Sequence, residues 1–186
     1  MQFSTARPDV VRAINQRWLL TFWNRHRGDH AVPRWQVIEA ENISRMADSL
    51  SFLDVIRGEP ELRFRIRFHG ATIGIIYGAT DCTGKFLHAS KPEPERRDAL
   101  APYKHAVENG RPVYVVHDVT DRAGRVVHSE RLLLPFSRDG ETADRILASF
   151  EFVSPDGAFE SRGLMQTLQT PPTLKLMAAI EPLAAA

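Results

Sequence analysis

The residues spaced for chemistry in this chain favour proton exchange and anion contact over covalent catalysis. Cys82 is the single cysteine; Asp81 and Lys85 stand near it, but no histidine lies at a recognisable spacing. It reads as a passive thiol, and it excludes an internal disulfide. His26 and His30 are four apart, a metal-ligand spacing on a helix, yet Gly28 lies between them where a helix should end. With no third ligand in evidence, no metal site is assigned. A sharper pairing lies across a hairpin. If Ala123-Gly124 is a two-residue loop, His117 stands opposite Glu130; with a three-residue loop, Asp118 instead faces His128. His117 with Glu130 is the candidate polar switch, because histidine titrates near neutral pH, and its ordinary alternative is a cross-strand contact. Arg63, Arg65 and Arg67 alternate with Leu62, Phe64, Ile66 and Phe68, which sets three guanidinium groups in a row on one strand face. The row suits an acidic partner or a phosphate; its ordinary role is like-charge protection of a sheet edge. No nucleophile, acid or base has neighbours arranged to activate it, so no catalytic residue is assigned and the chain reads as a non-enzyme.

The elements that must position these residues are legible from periodicity. Residues 112–153 read as three consecutive strands: Val113 to Val116, Val126 to Phe136, and an alternating run from Ile146 to Val153. Asp121 to Gly124 and Asp139 to Glu141 supply the turns between them. Upstream, residues 50–56 and 62–68 read as two more strands joined at Gly58. Residues 9–27 carry Val11, Ile14, Trp18 and Phe22 at helical spacing, with Leu19, Leu20 and Trp23 widening the apolar face. That breadth predicts a helix buried on two sides, one against its own sheet and the other against a partner or a second copy of the chain, with cover by the C-terminal tail as the ordinary alternative. Residues 31–42 read as a connector and residues 43–47 as a short turn. A short helix is expected over residues 71–77 and a longer one over 93–109, complicated by Pro102. Residues 154–163 look like a linker and residues 174–180 like a weak terminal helix.

The composition sets wider bounds. A chain of 186 residues with 43% hydrophobic and 25% charged residues is an ordinary globular domain with extensions. A net charge of +1 gives no reason to expect nucleic acid or an anionic membrane as a partner. No apolar run reaches the roughly 18 residues of a membrane span, and no signal-peptide core opens the chain. The expected location is the cytoplasm.

Strand, strand, short helices, longer helix and three antiparallel strands is also the element order of a PAS domain, a sensor module with a five-stranded sheet and a helical cover. The chain resembles a family of small, single-domain PAS proteins common in alphaproteobacteria. The likeness runs through Phe22-Trp23, Arg27-Gly28 and Pro33-Arg34, then the run Arg65-Ile66-Arg67-Phe68-His69-Gly70-Ala71-Thr72-Ile73. It continues in Tyr77-Gly78, Asp81, Thr83-Gly84, Asn109-Gly110-Arg111-Pro112-Val113, residues 130–135 and Arg145-Ile146-Leu147. It covers about residues 18–153, and order and spacing carry it, since no single word is specific. The loop before Thr83-Gly84 departs from the pattern, being about one residue longer, with Cys82 in place of an aliphatic residue.

The resemblance implies an α+β fold: a five-stranded antiparallel sheet with helices on one face, plus an N-terminal amphipathic helix. The divisions would be residues 1–34, helix and connector; 35–153, the PAS-like domain; and 154–186, a tail with a short helix. The Arg63/Arg65/Arg67 strand would lie at a sheet edge. A pocket between sheet and helices would be lined by Phe52, Phe64, Ile66, Ile73, Tyr77, Tyr103 and Leu132, holding a small apolar ligand or packed by its own side chains. Output would run through protein contact, with a homodimer formed along the N-terminal helix and a bacterial signalling protein such as a histidine kinase. His105 falls on the helix that carries the iron ligand in haem-binding PAS sensors, but it sits off the Leu100/Tyr103/Val107 stripe, so haem is not expected; the cofactor is left unassigned. Two alternatives stand beside this reading. One is a cone-shaped enzyme of the ketosteroid-isomerase type with Asp54 or Asp118 as base and Tyr103 as oxyanion donor; the other is a ligand-free dimerisation module.

Overall fold

The computed structural model describes residues 3–41, 43–58, 61–79, 81–89, 91–93, 95–168 and 170–182. At its centre are β4 (Val113–Thr120), β5 (Val126–Phe136) and β6 (Arg145–Val153), paired antiparallel in succession. β2 (Leu50–Ile56) joins the outer side of β6, and β3 (Arg63–His69) pairs with β2. On the other flank, β7 (Thr173–Ile180) runs antiparallel to β4, and β1 (Ser4–Ala6) runs parallel to β7. The order β1-β7-β4-β5-β6-β2-β3 makes seven strands among the described residues, not five.

One of the two extra strands comes from a segment whose local sequence points elsewhere. Residues 174–180 are rich in leucine, lysine, methionine and alanine, all good helix formers, yet they form β7 and not a helix. The open edge of β4 decides the matter. Its N–H and C=O groups require partners, and pairing with them also buries Met177, Ala178, Ala179 and Ile180. The C-terminal segment is therefore part of the sheet and not a tail appended to it.

The hairpin between β4 and β5 sets the register of the centre. Thr120 pairs with Val126, the Asp121 N–H donates to the Arg125 carbonyl at 3.0 Å, and Gly124 adopts φ 82°, which closes a three-residue loop. The Asp121 carboxylate accepts from the backbone N–H groups of Ala123 and Arg125, both at 2.9 Å, and pins the turn. Asp118 consequently faces His128, while His117 faces Ser129 and Glu130 faces Val116. The His117–Glu130 pairing does not form. One step of register places the two on opposite faces of the sheet.

Helices cover both faces, not one. α1 (Ile14–Arg27) lies over the face that carries Tyr114, Glu130 and Glu151. Its Trp23 indole donates to the Pro135 carbonyl at 2.6 Å, and its Gln16 amide donates to the carbonyls of Glu130 at 3.3 Å and Ser149 at 3.2 Å. Beneath it the Tyr114 hydroxyl donates to Glu130 at 2.6 Å in a buried pair. α2 (Gln36–Ala40), within the expected connector, follows Trp35, whose ring meets Phe52 and Phe136 edge-on. α3 (Ala71–Tyr77) and α4 (Glu95–Asn109) stand over the opposite face, and α4 continues through Pro102. The apolar breadth of α1 is used largely inside the chain: Leu19, Leu20, Phe22 and Trp23 are buried, and Arg45 lies over the Trp18 ring.

β3 occupies the edge of the sheet. Its outer side is sheltered by the following loop, where Ile66 and Leu87 N–H groups donate to the carbonyls of Lys85 and Phe64 at 2.9 and 2.8 Å. The arginine row is occupied locally: Arg65 and Arg67 both reach Asp54, at 3.2 and 3.3 Å, and Arg63 lies over the Phe86 ring at 4.5 Å. Edge protection and local pairing account for the row without an external anion.

Candidate functional site: a cavity between sheet and helices

Period-two alternation on the central strands sends one set of side chains away from α1, and these form a floor. Val115 and His117 come from β4, Ser129 and Arg131 from β5, and Ala148 and Phe150 from β6, with Leu53 of β2 and Ile66 of β3 beyond them. Ile73 and Tyr77 of α3, Pro102 and Tyr103 of α4, and the 81–89 loop form the opposing wall. Leu174 and Met177 of β7 close one end. The cavity measures about 970 Å³ and opens partly to solvent.

Of the residues expected to line a pocket, Ile66, Ile73, Tyr77 and Tyr103 do so. Phe52, Phe64 and Leu132 do not. Phe52 pairs with Leu147 on the α1 face and packs against Trp35. Leu132 stands opposite Tyr114 and Ser149, one residue out of phase with Arg131. Phe64 packs against the Tyr103 ring at 5.5 Å and is fully buried behind it. Sequence reasoning missed Arg131, His88 and His117 as cavity residues. The available signal was a basic residue at the inward phase of an otherwise apolar strand.

The cavity's electrostatics centre on Arg131. Its Nη1 donates to the Tyr103 hydroxyl at 3.1 Å, and the guanidinium carbon lies 5.5 Å from both the Tyr103 and Phe150 ring centres. Its Nε is buried without a hydrogen-bond partner, and among the described residues no carboxylate forms an ion pair with it. Burial, reinforced by Arg131 and Lys91, pushes His88 down to about 3. Burial, again with Arg131 nearby, takes His117 down to about 4. His69 is also held below its usual range by burial, against the pull of Asp81. Near neutral pH these imidazoles are uncharged while arginine keeps its charge. Lys85 and Asp98 are exposed at the rim. His88 adopts φ 54°, a left-handed conformation uncommon outside glycine, in the loop bordering the cavity.

A family model described as "PAS domain" matches residues 11–151. The chain belongs to the PAS domain family. No curated protein matches this PAS chain. Among solved structures it is similar to the LOV protein of Rhodobacter sphaeroides, at 19% identity and TM-score 0.44, over 61% of this chain and 63% of that one. It is likewise similar to a variant of RsLOV, at 18% identity and TM-score 0.44, over 61% of this chain and 64% of the other. The PAS chain thus spans just under two thirds of those LOV chains.

The remaining chemical candidates lie outside the PAS cavity. His128 Nδ1 is 2.6 Å from Asp118 Oδ1, and Lys175 reaches the other oxygen of that carboxylate at 3.1 Å. Asp54, on β2, is held by Arg65 and Arg67 of the neighbouring β3. Neither aspartate shares the cavity with Tyr103, so the acid–phenol pair required by an isomerase is not assembled from them. His105 stacks on Phe3 with ring centres 3.9 Å apart and does not line the cavity. His26 Nδ1 donates to the Phe22 carbonyl at 2.9 Å, and His30 packs against Gly140. Among the described residues no group of three or more His, Cys, Asp and Glu side chains is placed to hold a metal. Cys82 is a free thiol that lines the cavity from its loop. Among the described residues no helix is long and apolar enough to cross a membrane.

Proposed function

We propose that this PAS domain is a non-enzymatic sensory module that takes a small molecule into the cavity between its sheet and α3/α4. The observation that carries this reading is the cavity itself. An interior filled by its own side chains leaves nothing to sense, whereas a space of about 970 Å³ beneath two helices has the size and apolar lining of a ligand pocket. Occupancy is transmitted through protein contact, because the wall of the cavity is made of α3, α4 and the 81–89 loop, whose packing depends on what lies beneath them. The output partner in this reading is a bacterial signalling protein such as a histidine kinase, in the cytoplasm. A second copy docks along α1, where Ile14 is 76% exposed.

Native mass spectrometry of gently purified protein, followed by denaturation and identification of the released molecule, tests both parts. A stoichiometric small molecule on a chain of dimer mass is the expected result. Protein that is repeatedly empty and monomeric, and that captures no ligand on incubation with cell extract, would sink the reading.

A further inference from the structure

We propose that the cavity is built for a hydrophobic monocarboxylate whose head group pairs with Arg131. This rests on the ligand-binding reading above and adds the chemical class of the ligand. Arg131 stands in register between Val115 and Phe150, in the middle of the sheet floor, where an aliphatic residue would cost nothing to bury. A charge there is expensive unless it is paired and hydrogen-bonded. Among the described residues one hydroxyl, that of Tyr103, accepts from its guanidinium, and Nε has no partner. Among the described residues no carboxylate inside the cavity answers the charge. His88 and His117 are donors or acceptors without charge, and Asp98, the carboxylate that borders the cavity, is exposed at its rim. Asp118 and Glu130 are engaged on the opposite face.

The Tyr103 and Phe150 rings hold the guanidinium in place and favour a fixed orientation of its donors over a mobile one. Its planar fork matches a carboxylate, and such charge-assisted pairs are about twice as strong as neutral hydrogen bonds. Ser129, beside His117 across the strand pair, is a further donor on the floor. Arg131 is the cation on the cavity floor and suits one negative charge there. A phosphate dianion would bring a second charge beside it, and the further cations that line the cavity, Lys85 and Lys91, stand at its more exposed margin, with Lys91 3.9 Å from Glu95. The rest of the lining, including Leu53, Ile66, Ile73 and Met177, suits a hydrocarbon body.

The test measures binding of four probes with the same ten-carbon chain to the full chain by calorimetry: decanoate, decan-1-ol, decyl phosphate and decyltrimethylammonium. Decanoate is expected to bind at least about tenfold more tightly than decanol, with decyl phosphate weaker than decanoate and the ammonium compound weakest. Arg131→Met should abolish the decanoate preference while decanol binding persists, and Arg131→Lys should retain part of it. If decanol and decanoate bind wild-type protein equally, or decyl phosphate binds more tightly than decanoate, the carboxylate assignment is overturned and the pocket reading survives. If none of the four binds, the assignment and the pocket reading fall together. The wild-type comparison decides the matter even if neither variant folds.

Discussion

Burying His88 and His117 beside Arg131 has a consequence for stability as well as for ligand choice. Their folded values, about 3 and about 4, lie below the ordinary value of 6.5, so below pH 6.5 the unfolded chain binds protons that the folded chain refuses. Stability is therefore complete above pH 6.5 and is lost as pH falls towards 4 and then 3. Each histidine should cost roughly 1 to 2 kcal/mol by pH 5. Urea unfolding at pH 7.5, 6 and 5 should show this slope, and His88→Asn should flatten it, since asparagine tolerates the positive φ at that position. An unchanged slope in the variant would mean that His88 is solvated in the folded state. Residue roles were only partly legible from sequence. Ile66, Ile73, Tyr77 and Tyr103 follow from facing elements that any sheet-and-helix packing brings together. Phe52 and Leu132 fail because alternation reports two faces and not which of them is hollow.

Among the elements, β7 is the least expected and structurally the most exposed to test. It closes the β4 edge and contributes Leu174 and Met177 to the cavity end. A chain ending at residue 172 should leave Val113 to Asp118 with an unpaired edge and the cavity open. A loss of more than about 3 kcal/mol is expected, equivalent to a Tm fall of roughly 6 to 12 °C, with aggregation detected by light scattering as the bare edge finds partners. Retention of the full Tm would show β7 to be dispensable. The β2 to β6 strands and α3 were readable because alternation, helical spacing and turn residues agreed locally. In β7 they disagree: four helix-forming residue types sit in a segment that only the neighbouring edge makes a strand.

At the scale of the whole molecule, one sheet is packed on both faces, densely under α1 and openly under α3 and α4. A ligand that binds only the folded state stabilises it by mass action, about 2.7 kcal/mol at a hundred times its Kd, or a Tm rise of roughly 5 to 11 °C for a chain of this size. Filling the cavity should remove that response without removing the fold. Ala148→Phe projects a ring from the floor into the space, so its unliganded Tm should stay within a few degrees of wild type while the ligand-induced rise disappears in a thermal melt. A variant that kept the full rise would place the ligand elsewhere.

The sheet's central strands, α1, α3 and α4, the edge position of the arginine strand and the PAS likeness carried by the order of short motifs were legible along the chain. These are local or ordered features, set by side-chain period, turn chemistry and spacing along the chain. Tertiary structure decided what depends on contacts between distant segments. The three-residue loop chose Asp118–His128 over His117–Glu130, a choice that turns on a single residue of register. The free edge of β4 made a strand of residues expected to be helical, and α1 took the face opposite the cavity. Above all, Arg131 became the cavity's charge because no described carboxylate on another element reaches it, and no reading of residue types along one strand reports which groups fail to arrive from the others.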